Sequence, residues 1–196
     1  MLKCVNVSEL IRETTLDMME ERPFYKIKVS DLTNTAHIGR STFYLHYDSI
    51  YDVVEEIEND FIRGLQEESA SMSAYADSSP EDYAQAALQI EMMNAAYIRE
   101  HARTFRLLTG PNGDPSFNHK LVKRTREYLD QYIRRTGSGT RQDRYYNLLS
   151  EFMINGNLAF QRCITAHPEM YSDDEIAIMH RRISEQLLPL LTEKLS

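Results

Sequence analysis

The chain has 196 residues, 42% of them hydrophobic, enough to bury one large domain or two small ones around a shared core. It contains no run of 18 apolar residues and no charged-then-apolar leader, so the expectation is a cytoplasmic protein with no membrane partner. A net charge of −8 argues against indiscriminate coating of nucleic acid but leaves room for a local DNA-reading surface, because what matters is where the cations sit.

Breakers are sparse and apolar residues recur at helical spacing nearly throughout, which predicts an all-α protein of about nine helices. A first helix is expected from Ser8, as N-cap, to Arg22, just before Pro23. Leu10, Ile11, Thr14, Met18 and Met19 share its core face. Short helices fit 29–36 and 39–45. A longer one follows, with Ile50, Val53, Val54, Ile57, Phe61 and Leu65 as a one-sided stripe.

The Ser- and Ala-rich stretch 68–80 suggests a helix end and a linker. Ser79-Pro80-Glu81-Asp82 combines an N-cap, a first-turn proline and first-turn acids, and opens a helix to about residue 100. A shorter helix fits "TFRLL". In "TGPNGDPS" (109–116), Gly110 suits a C-cap and Asp114-Pro115 starts the next helix, which "GSG" (137–139) ends. A helix over 141–166 stops before Pro168. The last opens on Ser172-Asp173-Asp174-Glu175, a capping box with Tyr171 and Ile176 as its hydrophobic staple, and Pro189 kinks or ends it.

Residues 28–47 stand out as a unit. Two short helices are separated by His37-Ile38-Gly39, and Leu32, Ala36, Ile38, Phe43 and Tyr47 can face inward together. Ala36 permits a close crossing and Ile38 plugs the turn, as in a helix-turn-helix whose second helix enters the major groove. Gly39 lets backbone N–H groups approach phosphate, Arg40 can bond guanine bidentately, and Ser41 and Thr42 can reach a base or a phosphate. Tyr44 and His46 are placed for the DNA backbone, with a thymine methyl as a second option for Tyr44. Lys26 and Lys28 lie within range of a further phosphate stretch.

The run "STFYLHY", preceded by Ala-x-Ile and followed by an amphipathic helix, resembles the DNA-binding module of the tetracycline-repressor (TetR) family over roughly the first 65 residues. That pattern is a small residue, Thr, Phe or Leu, Tyr, any residue, His or Tyr, then Phe. The resemblance implies a helix-turn-helix DNA-binding domain over 1–50 (motif 28–47), a connecting helix over 51–69, and an effector-binding and dimerisation domain over 70–196. It places the recognition roles on Arg40, Ser41, Thr42 and Tyr44, with His46 on a phosphate. The chain departs from the family at Ile50, commonly a phosphate-touching lysine, at Lys28, usually a Thr or Ser cap, and at His37, usually the glycine of the turn. Within residues 1–50, Lys3, Arg12, Arg22, Lys26, Lys28 and Arg40 face Glu9, Glu13, Asp17, Glu20, Glu21, Asp31 and Asp48, so the module is not basic overall.

The stretch 105–121, with "INGNLAF" and "SDDEIA" near the end, resembles a branch of the family that includes regulators of dihydroxyacetone-kinase operons. Some members of that branch answer to a protein partner, so the effector is a small molecule or a protein. Phe152, Gly156, Ala159 and Cys163, with Ile176, Met179, Ile183, Leu187 and Leu190, form two stripes suited to a four-helix interface in a homodimer. Periodicity also allows both stripes to face the monomer's own core. A dimer suits a palindromic double-stranded DNA operator. Effector-pocket candidates are Met93, Tyr97, Phe105, Tyr128 and Phe152, with Met92, Tyr132 and Tyr145 as further wall residues.

An enzyme is disfavoured. The six histidines form no metal-ligating helical pair, Cys4 and Cys163 have no metal-type spacing and read as free thiols, and no nucleophile or phosphate-loop motif occurs. No cofactor is expected. The expected function is a repressor released from its operator by its effector. The alternative is a helix-turn-helix-derived interaction protein or co-regulator that responds to a protein partner and binds DNA weakly or not at all.

Overall fold

In the computed structural model, which describes residues 6–69, 74–75, 77–136, 144–187 and 190, the chain forms nine α-helices and a 3-10 turn, with no strand among the described residues. The helices are α1 (Val7–Glu21), α2 (Val29–Thr35), α3 (Arg40–Tyr44), α4 (Ile50–Ser69), α5 (Pro80–Glu100), α6 (Ala102–Thr109), α7 (Pro115–Thr136), α8 (Arg144–Ala166) and α9 (Asp173–Leu187). Among the described residues none is long and apolar enough to cross a membrane. Residues 70–73 and 76 of the linker 68–80, the "GSG" stop and Pro189 lie outside the described residues.

Local chemistry explains the ends. Asn6, not Ser8, caps α1: its side-chain oxygen accepts from the Ser8 amide at 3.2 Å. The expectation at Ser8 failed because a second capping residue stands two positions earlier, which leaves the Ser8 hydroxyl free to bond the Tyr47 phenol. Ser79 caps α5 through the Asp82 amide, with Pro80 in the first turn. Ser172 and Glu175 form the expected reciprocal box, the Ser172 amide donating to the Glu175 carboxylate at 2.9 Å and the Glu175 amide to the Ser172 hydroxyl at 3.3 Å. That backbone bond holds the Glu175 carboxyl below its ordinary range. Between α6 and α7, a side chain at Gly113 would run into the Leu107 and Leu108 carbonyls, so the loop requires glycine there. Asp114 then caps α7 through the Ser116 amide at 2.8 Å.

The chain divides into two compact units, and the division does not follow chain order: Met1–Arg63 combines with Arg103–Asn118, and Gly64–Ala102 with His119–Ser196. In the first unit Ile11, Met19, Leu32, Phe43, Val53 and Val54 are buried, and Phe61 stacks on Phe105 at 5.8 Å and meets Phe117 edge-on at 6.0 Å. Arg103 binds Glu13, Asp17 and Glu20 along α1, and the Asn112 side chain donates to the Met19 carbonyl at 2.8 Å. The stretch 103–118, remote in sequence, is therefore part of the N-terminal core. The second unit is built on Tyr83, Ala87, Leu129, Tyr132, Ile133, Tyr146 and Ile154. Two of its tyrosines are tied locally: Tyr146 donates to Asp130 at 2.6 Å and Tyr128 to the Ala87 carbonyl at 3.1 Å. Burial pushes the Tyr128 phenol far up, keeping it neutral.

Candidate functional site

The turn between α2 and α3 is set by a particular backbone device. Ala36 ends α2 still in the helical region, and His37 then adopts a left-handed conformation with φ 53°. The Ile38 amide returns to the Thr33 carbonyl at 3.0 Å and the His37 amide to Asn34 at 3.3 Å. This is the paired bonding of a Schellman cap, at a position where glycine is usual and histidine is among the better-tolerated substitutes. The cap reverses the chain without a long loop. Leu32, Ala36, Phe43 and Tyr47 are buried beneath it and Ile38 is half-buried, so the two short helices are fixed to each other by their own apolar faces.

That packing decides what faces out. Gly39, Arg40, Ser41, Tyr44 and His46 are exposed and Thr42 is half-buried. Tyr44 is held by an edge-on contact of its ring with Phe43, centroids 5.4 Å apart. Lys26 closes the 3-10 turn Phe24–Lys26, and Lys28 is the first flanking residue of α2, where its side chain makes no cap. Both are exposed, and among the described residues neither these lysines nor Arg40 enters an ion pair. All eight residues expected to contact DNA therefore belong to the segment 26–46, and their three cations are unengaged.

The acids that offset the module's charge mostly lie elsewhere. Glu13, Asp17 and Glu20 are drawn to Arg103, and Arg12 pairs with Asp60 at 2.6 Å. Ile50 begins α4 and is 5% exposed, so the position where the family carries lysine is committed here to the core. Tyr47 stands where the pattern it resembles has phenylalanine. Its hydroxyl bonds Ser8 of α1, and burial, together with the Glu56 carboxylate of α4, pushes the phenol up and keeps it neutral.

One outward residue was not anticipated. Leu45 is 83% exposed, the highest value among the large hydrophobics of the described residues. The signal was in the sequence: it lies 200° around the helix from Phe43, directly opposite the core. Tyr25 and Tyr51 are also exposed, both edge-on to buried Phe24.

In the second unit α8 and α9 enclose a cleft of about 910 Å³, with Glu91 of α5 and Thr125 and Leu129 of α7 contributing. Its wall includes Phe152, Gly156, Phe160, Met179, Ile183 and Leu187. Ser184 donates to Glu91 at 2.6 Å, and the buried Asn157 side-chain oxygen has no partner. Of the effector candidates, Phe152 alone lines this cleft. Tyr97 packs against Gly64 and His101, Phe105 sits in the core of the first unit, Tyr128 is anchored on Ala87, and Met93 faces outward. Tyr132 is buried against Tyr83, Met92 is half-buried, and the Tyr145 side chain lies outside the described residues. Of the dimer candidates, Phe152 (66%), Met179 (51%) and Ile183 (42%) are exposed, with Gly156, Ala159, Cys163 and Leu190 also exposed and Leu187 half-buried. Ile176 differs: it is buried in its own unit, as the staple of the capping box requires.

No family model and no curated protein matches the chain. Solved structures share its fold over nearly the whole length, among them two regulators. The dihydroxyacetone kinase operon activator DhaS is 18% identical, with a TM-score of 0.55 over 95% of this chain and 97% of that one. The transcriptional regulator FadR from Bacillus subtilis, solved in complex with stearoyl-CoA, is 12% identical, with a TM-score of 0.57 over 96% and 99%. The fold of this chain is thus one found in helical transcriptional regulators.

Proposed function

We propose that the chain is a homodimeric, DNA-binding transcription regulator of tetracycline-repressor type, a repressor released from a palindromic operator by an effector acting on its second unit. The observation that carries this reading is the exposed face of α3. A sealed apolar underside turns Arg40, Ser41 and Tyr44 outward, with Thr42 beside them and Lys26 and Lys28 unengaged nearby. Arg40 has the fork to bond guanine, the hydroxyls suit bases or phosphates, and the lysines suit phosphates. The likeness of fold to DhaS and FadR supports the same class.

A second copy accounts for the α8–α9 face. Gly156 lies in the middle of α8 with nothing within 4 Å of where a side chain would begin, so the isolated chain supplies no reason for glycine. Glycine there weakens the helix by about 1 kcal/mol relative to alanine, a cost offset if another helix approaches closely. Phe152, Met179 and Ile183 beside it are large apolar groups left in water. The effector is a small molecule or a protein partner; FadR's complex with stearoyl-CoA supports the small molecule. The effector favours a dimer whose recognition helices have the wrong spacing, and by linkage DNA weakens effector binding by the same factor.

The burial of Ile50 favours a second reading, an interaction protein that has lost DNA binding. Selection of bound duplexes from a random pool, followed by salt titration of the winners, separates the two. The regulator enriches a palindrome and loses affinity steeply as salt rises. Failure to enrich any sequence would sink the proposal.

A further inference from the structure

Resting on the DNA-reading proposal, we infer that Leu45 is a specificity residue that selects a thymine, or another 5-methylated pyrimidine, in each half-site. The α3 helix turns 100° per residue, and buried Phe43 marks its inward direction. Leu45 points the opposite way, one turn beyond Ser41 and Thr42. Both of those side chains are short and leave it uncovered. The Tyr44 ring is engaged edge-on with Phe43, and the His46 ring lies beside Tyr47 at 6.4 Å. Leu45 consequently stands 83% exposed on the outward side, beside Ser41 and about 40° around the helix from it.

A single exposed leucine is ordinary on a protein surface. The position of this one makes it informative. Any duplex that meets Ser41 with base edges also meets Leu45. The major-groove edges of guanine, adenine and cytosine offer acceptors or an amino donor, and a leucine would strip water from them and return no hydrogen bond. The thymine C5-methyl is the apolar group in that groove. Against it Leu45 buries hydrocarbon on both sides, and no polar atom loses a partner.

The test uses a duplex enriched from a random pool, in which each thymine is replaced in turn by deoxyuridine. This change deletes the methyl and keeps the base pair. One thymine per half-site is expected to be sensitive, binding weakening about four-fold on loss of its methyl. Leu45→Ala is expected to bind the thymine and uracil duplexes equally at that position, while Arg40→Ala keeps the difference. Leu45→Met, which retains a hydrocarbon surface, keeps it too. Replacing the same thymine with 5-methylcytosine is expected to be tolerated better than cytosine. A uracil series that leaves the parent unaffected would overturn the inference while leaving DNA binding intact, as would uracil sensitivity that persists unchanged in Leu45→Ala. If no duplex is enriched, the DNA-reading proposal falls and takes this inference with it. Circular dichroism and melting of Leu45→Ala are expected to match the parent, since the side chain packs on little of its own chain.

Discussion

The helix-turn-helix of the first unit and the α8–α9 face of the second both expose more than a lone chain requires, but they expose different chemistry. The first presents a short helix whose outward groups are a guanidinium, hydroxyls, a phenol and one leucine, flanked by unengaged lysines. The second presents Phe152, Met179 and Ile183 around a glycine with open space before it. A polar, cationic face suits a hydrated polyanion and an apolar one suits another folded surface. The contrast teaches that one chain carries two surfaces of different chemistry, which the proposal assigns to two different classes of partner.

The contrast breaks most completely at Phe43. It is fully buried on the inward side of α3, and Phe43→Ala is expected to cost about 3–5 kcal/mol of the first unit's stability. DNA binding should vanish while dimerisation survives, as read by denaturant unfolding, anisotropy and sedimentation. The reverse dissection is Phe152→Asp, which places a charge in the apolar face. It is expected to weaken self-association by about 2 kcal/mol or more, visible as monomer by sedimentation equilibrium with helix content unchanged.

Finer substitutions sharpen the account of the first surface. Arg40→Ala should cost about 1–3 kcal/mol on the preferred duplex and relax specificity at one base pair. Lys28→Ala should weaken all sequences alike and lower the salt slope by about 1. Competition binding over several duplexes distinguishes the two, and identical behaviour of both variants would contradict the assignment. The smallest effect concerns the turn. His37→Gly removes a left-handed penalty and should stabilise by up to about 1 kcal/mol, whereas a β-branched valine at the same place should cost about 1–2 kcal/mol, both measurable by thermal melting.

How much of this was legible follows from range. The helices, the boxes at Ser79 and Ser172 and the compact pairing of α2 with α3 depend on residues a few positions apart, and the sequence states them. The same is true of His37, which stands where a glycine is usual and takes glycine's backbone angle. The α1 cap went to Asn6 because two capping residues competed and chain context decided. Leu45 was overlooked because a pattern that tolerates any residue at that position says nothing about which way it points.

The long-range packing was not legible. Arg103 meets α1 across more than eighty residues of sequence, and no periodicity signals that α6 belongs with the first unit. The effector wall fared similarly. Tyr128, Tyr132 and Phe105 have the composition of a ligand site, but their side chains are spent on a carbonyl, on Tyr83 and on Phe61. Composition says that a residue is apolar, and only packing says whether it faces a core, a cleft or water.

The most direct test of the central claim is fluorescence anisotropy of the purified protein with duplex DNA from upstream of its own gene, against a shuffled duplex, at two salt concentrations. The account predicts preference for the native duplex and a steep fall in affinity at the higher salt. Equal and negligible binding to both duplexes at both salts would contradict it.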